Sequence, residues 1–310
     1  MLLEPLRGLR RVDRTRAAAP PQSSVLILIL LALLLASCAS RTPATPPAGP
    51  SATPGPPTST PEPVAATVNG EGVPAAEFQS QVSQYQAAHT ALGKVVTQEE
   101  ASKAVLEDLI AQTLLAQGAR AAGFDLSQSG MQSRLDALAT QLGGADKLAA
   151  WESAHGYTAV SFSTTLKRAA EAAYMRDKIV TAVPKTADQV HVQQILLYNE
   201  SDARRILNQI TGGADFNTIA GRVDPKTRGE LSWFPKGYLL EPKIEEAAFG
   251  MQVGALSDLI QTQAGFHIIK VLERDPQHEL SPDAYLTLQE RALKDWLAQQ
   301  RASATVVLAP

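Results

Sequence analysis

His267 is the histidine of this chain with the strongest chemical context, because it lies inside an apolar run from Gly265 to Val271. An imidazole can donate or accept a proton near neutral pH, yet on an apolar strand it is more often a satisfied core group. His155, His191 and His278 stand alone in different segments, and no pair has metal-ligand spacing on one face. We therefore predict no metal. Since the sequence also lacks a glycine-rich phosphate loop and a Gly-x-Ser-x-Gly motif, we predict no cofactor.

Three segments around this histidine occur in an informative order. They are the apolar strand Val190 to Leu197, the run Arg228 to Phe234, and the run Thr262 to Val271. In this order they resemble a parvulin-type peptidyl-prolyl isomerase domain, over about residues 190–271. The resemblance implies a small antiparallel sheet flanked by helices, of the FKBP-like kind, and rotation about Xaa-Pro peptide bonds as the reaction.

The resemblance also implies a polar centre. Parvulins have two facing histidines on adjacent strands, bridged by a hydroxyl and close to a cysteine or aspartate. By motif, His267 matches the second histidine, Thr262 the hydroxyl and Asp224 the aspartate. Gln194 stands where the first histidine is expected. Glutamine can hold His267 in one tautomer but cannot ionise, so we expect reduced isomerase activity or none. Asp224 could equally be a surface loop residue beside Pro225.

An apolar pocket for the proline ring is implied by the run from Leu239 to Phe249. This run is similar to the parvulin segment in which a Met or Leu and two Phe residues enclose the proline. Leu240 and Phe249 fit that pattern, whereas Ile244 replaces an aromatic ring with a smaller side chain. The alternative is that all three are ordinary core residues.

The loop after the first strand bears on the choice of substrate. It runs from Tyr198 to Asp202 and is acidic, so charge repulsion should disfavour phosphorylated Ser-Pro or Thr-Pro targets. Arg204 and Arg205 follow on a helix, where a solvated face is the expected role. The remaining candidate partners are unfolded or partly folded exported proteins that contain proline.

The region before the sheet has a mainly helical pattern. Val64–Val68 predicts a short strand, Asn69-Gly70 a tight turn and Pro74 the start of a helix. Apolar residues at three- and four-residue steps then predict several amphipathic helices up to Val183. This order resembles the N-terminal region of SurA- and PrsA-like extracytoplasmic foldases.

The end of the chain predicts one more helix and a strand. Ser281-Pro282-Asp283 is typical of a helix start, and Thr305 to Leu308 is a candidate strand. In SurA- and PrsA-like proteins this segment returns to complete the N-terminal domain. By resemblance, residues 281–310 should pack on residues 64–183. The alternative is a helix that packs on the parvulin-like domain itself.

The N-terminus predicts export and lipidation. Several arginines precede the uncharged apolar run Val25 to Leu35, which is too short to span a bilayer and typical of a signal peptide. Leu35 to Cys38 resembles the bacterial lipobox, in which the cysteine is acylated, and Cys38 is the only cysteine of the chain. The alternative is a plain secretory signal. A lipid on Cys38 would attach the protein to a bacterial cell membrane.

The whole chain has 310 residues and a formal net charge of −3, without the basic balance that nucleic-acid binding requires. We therefore predict that it does not bind nucleic acid. The resemblances and the predicted export signal together imply an α+β extracytoplasmic protein. The predicted organisation comprises a signal peptide (1–37), a Pro/Thr/Ala-rich disordered tether (38–63), a helical domain (64–183), a parvulin-type domain (184–276) and a C-terminal helix and strand (277–310).

Two functions compete at this point. One is a lipid-anchored foldase that accelerates Xaa-Pro isomerisation, which His267, Thr262 and the apolar pocket favour. The other is a parvulin-fold chaperone that holds unfolded chains with little or no catalysis, which Gln194 favours.

Overall fold

The computed structural model of the protein describes residues 63–309. The predicted signal peptide, Cys38 and residues 39–62 of the predicted tether lie outside the described residues. The described residues form two compact units, one of residues 176–299 and the other of residues 63–175 together with 300–309. Within residues 63–309, none of the helices is both long and apolar enough to cross a membrane.

The unit that contains residues 63–175 opens with a β-hairpin. Strands β1 (Val64–Val68) and β2 (Glu71–Pro74) pair antiparallel. Asn69 and Gly70 both have positive φ, 53° and 84°, as the two central residues of a type I′ turn require. The turn and strand predicted from the sequence are therefore present.

Helices make up most of the rest of this unit. Residue types set several of their ends: Thr97 and Glu100 form a capping box at the start of the second helix, and Gly143 ends the third in the left-handed conformation. The helices are α1 (Ala75–Ala91), α2 (Gln98–Ala121), α3 (Gln128–Leu142), α4 (Ala145–Ala154) and α5 (Ala159–Thr181), the last of which continues past residue 175.

The last strand of the chain returns to the first. Strand β7 (Val306–Leu308) pairs antiparallel with β1, giving a three-stranded sheet in the order β2-β1-β7. The helix before it, α9 (Pro282–Ser303), belongs up to Gln299 to the other unit. The domain boundaries at residues 183/184 and 276/277 remain predictions.

The unit of residues 176–299 is built on a four-stranded antiparallel sheet in the order β4-β3-β6-β5. Strands β3 and β6 are long and form its centre. The elements are β3 (Thr186–Leu197), α6 (Glu200–Thr211), α7 (Phe216–Val223), β4 (Glu230–Pro235), α8 (Pro242–Gly250), β5 (Ile260–Thr262), β6 (Gly265–Glu279) and most of α9.

The two faces of this sheet carry two separate apolar clusters, because side chains alternate along a strand. The cluster on the α8 face consists of Val190, Val192, Phe234, Ile244, Ala248, Phe249, Ile269 and Val271. The cluster on the face of α6 and α7 consists of Ile195, Ile206, Phe216, Ile219, Ala220 and Ile268.

Candidate active site

His267 is fully buried at the start of β6 and both of its ring nitrogens are engaged. Nε2 lies 2.8 Å from Oγ1 of Thr262 on β5, and Nδ1 lies 3.0 Å from Oε1 of Gln194 on β3. The three side chains that the sequence singled out therefore meet across three adjacent strands. Pairing of Ile260 with His267 across β5 and β6 brings Thr262 to the imidazole.

The donor and the acceptor of each hydrogen bond among His267, Thr262 and Gln194 can be assigned. Oε1 of Gln194 can only accept, so Nδ1 of His267 carries the ring proton and donates it to this oxygen. The unprotonated Nε2 then accepts the hydroxyl proton of Thr262, whose Oγ1 also accepts the backbone N–H of Ala264 at 3.0 Å. Gln194 thus selects one neutral tautomer of His267.

Burial keeps this imidazole neutral. It lowers the pKa of His267 from 6.5 to about 4, because the charged form would lose its hydration inside the sheet. At neutral pH the group is therefore a fixed donor and acceptor of hydrogen bonds and carries no charge.

The polar group shares a sheet face with the α8 apolar cluster. On β6, His267 alternates in step with Ile269 and Val271, and on β3, Gln194 alternates in step with Val192. Ile269, Val271 and Val192 belong to that cluster, so the imidazole lies at the end of the cluster. The face consequently combines apolar side chains that are buried against α8 with a small set of oriented polar atoms at the end of the cluster.

The three predicted pocket residues are placed differently. Ile244 and Phe249 on α8 are buried in the cluster, 2% and 8% exposed, whereas Leu240 is 86% exposed just before the helix. Phe249 packs edge-on against Phe234, and Lys236 lies over its ring at 5.2 Å. Ile244 and Phe249 therefore form part of the core, and Leu240 presents an apolar side chain to solvent.

Asp224 lies at the end of α7, and its carboxylate organises the following turn. Its Oδ1 accepts the backbone N–H groups of Lys226 and Thr227, and its Oδ2 accepts the Thr227 hydroxyl proton. The two ring nitrogens of His267 are hydrogen-bonded to Thr262 and Gln194. The predicted catalytic role of Asp224 stays a prediction, with a turn-forming role observed.

Gly229 is a positioning residue that the sequence argument missed. The backbone N–H of Gln194 donates to the Gly229 carbonyl at 2.7 Å, next to a bulge in the pairing of β3 with β4. Gly229 has φ 72°, and a Cβ there would lie 1.7 Å from the backbone oxygen of Gln194. Only glycine permits this approach. The signal available in the sequence was a glycine directly before a strand, which is too common to single it out.

Comparison with known families agrees with this geometry. Residues 179–273 match the family model of the PPIC-type PPIase (rotamase) domain, and residues 22–142 match that of the SurA-like N-terminal domain. Residues 179–273 are a parvulin-type domain. The expectation of an α+β chain with a SurA-like helical region and a parvulin domain is thereby confirmed.

Two curated relatives align with about a third of this chain. Foldase protein PrsA of Halalkalibacterium halodurans is 36% identical over 124 residues, which cover 36% of this chain and 37% of the relative. The parvulin-like PPIase of Rickettsia bellii is 34% identical over 107 residues, 32% of this chain and 37% of the relative. The chain thus spans less than two fifths of the length of these relatives.

One further relative and one solved structure align over longer stretches. Foldase protein PrsA of Caldanaerobacter subterraneus is 29% identical over 233 residues, 67% of this chain and 72% of the relative. The crystal structure of the peptidylprolyl isomerase PrsA from Bacillus cereus has 22% identity and a TM-score of 0.39, covering 67% of this chain and 82% of that chain.

Replacing Gly229 with alanine should disrupt the placement of Gln194. The added Cβ meets a backbone atom that cannot move without shifting β3, so we expect a loss of about 3 kcal/mol or more in the free energy of unfolding. Urea denaturation measures this loss.

Gly254→Ala is the matched control for that variant. Gly254 also has positive φ, 85°, but open space surrounds its missing Cβ. Only the backbone strain of about 1–2 kcal/mol should therefore be lost. Equal losses in the two variants would contradict the close approach at Gly229.

The low pKa of His267 predicts a pH-dependent stability. Between pH 6.5 and about 4 the unfolded chain binds a proton that the folded protein excludes, so stability falls as the pH falls through this window. The contribution of this group amounts to about 3 kcal/mol at about 1.4 kcal/mol for each pH unit.

His267→Gln isolates the effect, because it removes the titrating group and leaves the other histidines and the carboxylates in place. Urea unfolding at pH 7, 5.5 and 4.5 should show a shallower decline for His267→Gln than for the parent. Parallel declines would show that His267 does not exclude the proton.

Proposed function

We propose that this chain is an extracytoplasmic foldase that accelerates cis–trans isomerisation of Xaa-Pro bonds in unfolded exported proteins. The observation that carries the proposal is the buried neutral imidazole of His267, oriented by Thr262 and Gln194 at the end of an apolar sheet face. The PPIC-type domain and the names of the relatives support it.

The reaction forms no covalent bond and needs no cofactor. Its barrier of about 18–20 kcal/mol comes from the partial double bond of the amide. A catalyst must therefore bind the twisted amide more tightly than the planar one. A thousandfold acceleration needs about 4 kcal/mol of such preference. An apolar surface for the proline ring and polar groups that need no reorganisation can provide this.

The surroundings of the first loop support substrates without phosphate. Arg204 pairs with Glu200 and Arg205 with Asp202, each at 2.6 Å, so both guanidinium groups are already paired with carboxylates on α6. These two pairs have no net positive charge with which to attract a phosphorylated side chain. Unmodified proline-containing segments are the proposed substrates.

The competing function is a chaperone that binds unfolded chains without catalysis. Gln194 favours it, because an amide cannot change charge as a histidine can. Large apolar side chains exposed in the helical unit also favour it: Leu92 is 72%, Val95 98% and Val160 77% exposed. Such side chains offer contacts to an unfolded chain that are independent of the parvulin domain.

The rate of cis–trans isomerisation of a short Xaa-Pro peptide, measured with and without the protein, decides between the two functions. We expect the full chain to exceed the uncatalysed rate, and His267→Ala to lower kcat/KM about tenfold through loss of an oriented hydrogen-bonding group. Leu240→Ala should lower it about fivefold if the exposed side chain covers the proline ring.

Gln194→His completes this set. An inactive parent together with an active Gln194→His would overturn the enzymatic proposal and leave the chaperone. Suppression of the aggregation of an unfolded client, equal in all variants, would assign the chaperone activity to another part of the chain.

We further propose that the chain is anchored to a bacterial cell membrane through a lipid on Cys38. The support is the lipobox-like sequence Leu35 to Cys38 after an apolar run. In a bacterial host, the full chain should incorporate a labelled fatty acid and sediment with membranes. Cys38→Ala should incorporate none, and labelling that persists in this variant would contradict the anchor.

A further inference from the structure

Gln194 uses only one end of its amide to hold His267. Its Oε1 accepts from Nδ1 of His267, which fixes the amide so that Nε2 faces away from the imidazole. Although Gln194 is only 8% exposed, its Nε2 is not sealed from solvent, and among residues 63–309 no protein group accepts a hydrogen bond from it. Gln194 therefore keeps two N–H donors beside the apolar face.

The neighbouring glutamine has no such surplus. Nε2 of Gln193 donates to the Arg228 carbonyl at 2.7 Å and to Oδ1 of Asn217 at 3.1 Å. Gln193 serves as a brace for the loop before β4. Of these two adjacent buried glutamines, only Gln194 has donors left for a ligand.

The chemistry of the twisted amide determines where such a donor would help. In the planar amide the nitrogen lone pair is delocalised, so the carbonyl oxygen accepts hydrogen bonds and the nitrogen does not. On twisting, the lone pair returns to the nitrogen. A donor to the oxygen stabilises the planar form and slows rotation, whereas a donor to the nitrogen acts only on the twisted form and accelerates it.

We propose that the Nε2–H group of Gln194 donates a hydrogen bond to the imide nitrogen of the twisted Xaa-Pro bond. This inference rests on the proposed isomerase function and deepens it, because it assigns Gln194 direct contact with the reacting atoms. The imidazole of His267 and the hydroxyl of Thr262 orient the side-chain amide of Gln194 and do not touch the imide nitrogen of the substrate. Catalysis then requires a hydrogen-bond donor at position 194 and no ionisable group.

Gln194→Glu separates the two ends of the amide. A carboxylate still accepts from Nδ1 of His267 but has no N–H to donate, so the orientation of the imidazole is kept and the donor is lost. We expect kcat/KM for an Xaa-Pro peptide to fall about tenfold, with most of the loss in kcat because the interaction exists only in the twisted state. Ring ¹⁵N chemical shifts of His267 should show the same protonated Nδ1 as in the parent.

Gln261→Glu is the control for the added charge, since Gln261 is exposed on β5 next to Thr262 and its side chain faces solvent. Its kcat/KM should stay within about twofold of the parent, as for an exposed substitution. If Gln194→Glu kept the kcat/KM of the parent, this inference would be overturned and the isomerase function would stand. A loss accompanied by a changed His267 tautomer would also overturn it, because Gln194 would then act only through His267. A parent without activity would overturn the isomerase function and this inference together.

Discussion

A buried imidazole needs a partner for each ring nitrogen, and the parvulin domain is arranged around this need at His267. An unpaired nitrogen in this position would cost about 1–3 kcal/mol. Thr262 satisfies one nitrogen from the hairpin of β5 and β6, and Gln194 satisfies the other from β3. The strand order β4-β3-β6-β5 is what places both partners beside β6. The apolar cluster on the same face then supplies the dry surroundings that keep His267 neutral.

Local residue chemistry allowed much of the fold to be predicted. Asn69-Gly70 and Pro74 act within a few residues of themselves, so the turn and the helix start were readable from sequence. The grouping of Thr262 and His267 was also within reach, because both lie in one hairpin. Their meeting with Gln194, about seventy residues earlier, was reached only through resemblance to a family.

Non-local geometry explains what the sequence left out. The role of Gly229 depends on a bulge between β3 and β4, which no local pattern announces. Leu240 and Ile244 come from one sequence motif, yet only Ile244 lies inside α8 and faces the sheet, while Leu240 precedes the helix and reaches solvent. Asp224 lies at the end of α7, where a short acidic side chain competes for nearby backbone N–H groups and forms a turn.

The glutamine at position 194 is more compatible with the proposed catalysis than its inability to ionise suggests. Burial already lowers the pKa of His267 to about 4, so this imidazole acts at neutral pH through hydrogen bonds and not through charge. A neutral histidine offers one donor and one acceptor, whereas a glutamine offers two donors and one acceptor. The exchange of histidine for glutamine therefore preserves the acceptor that orients His267 and adds a donor. What it removes is a second titratable group beside His267.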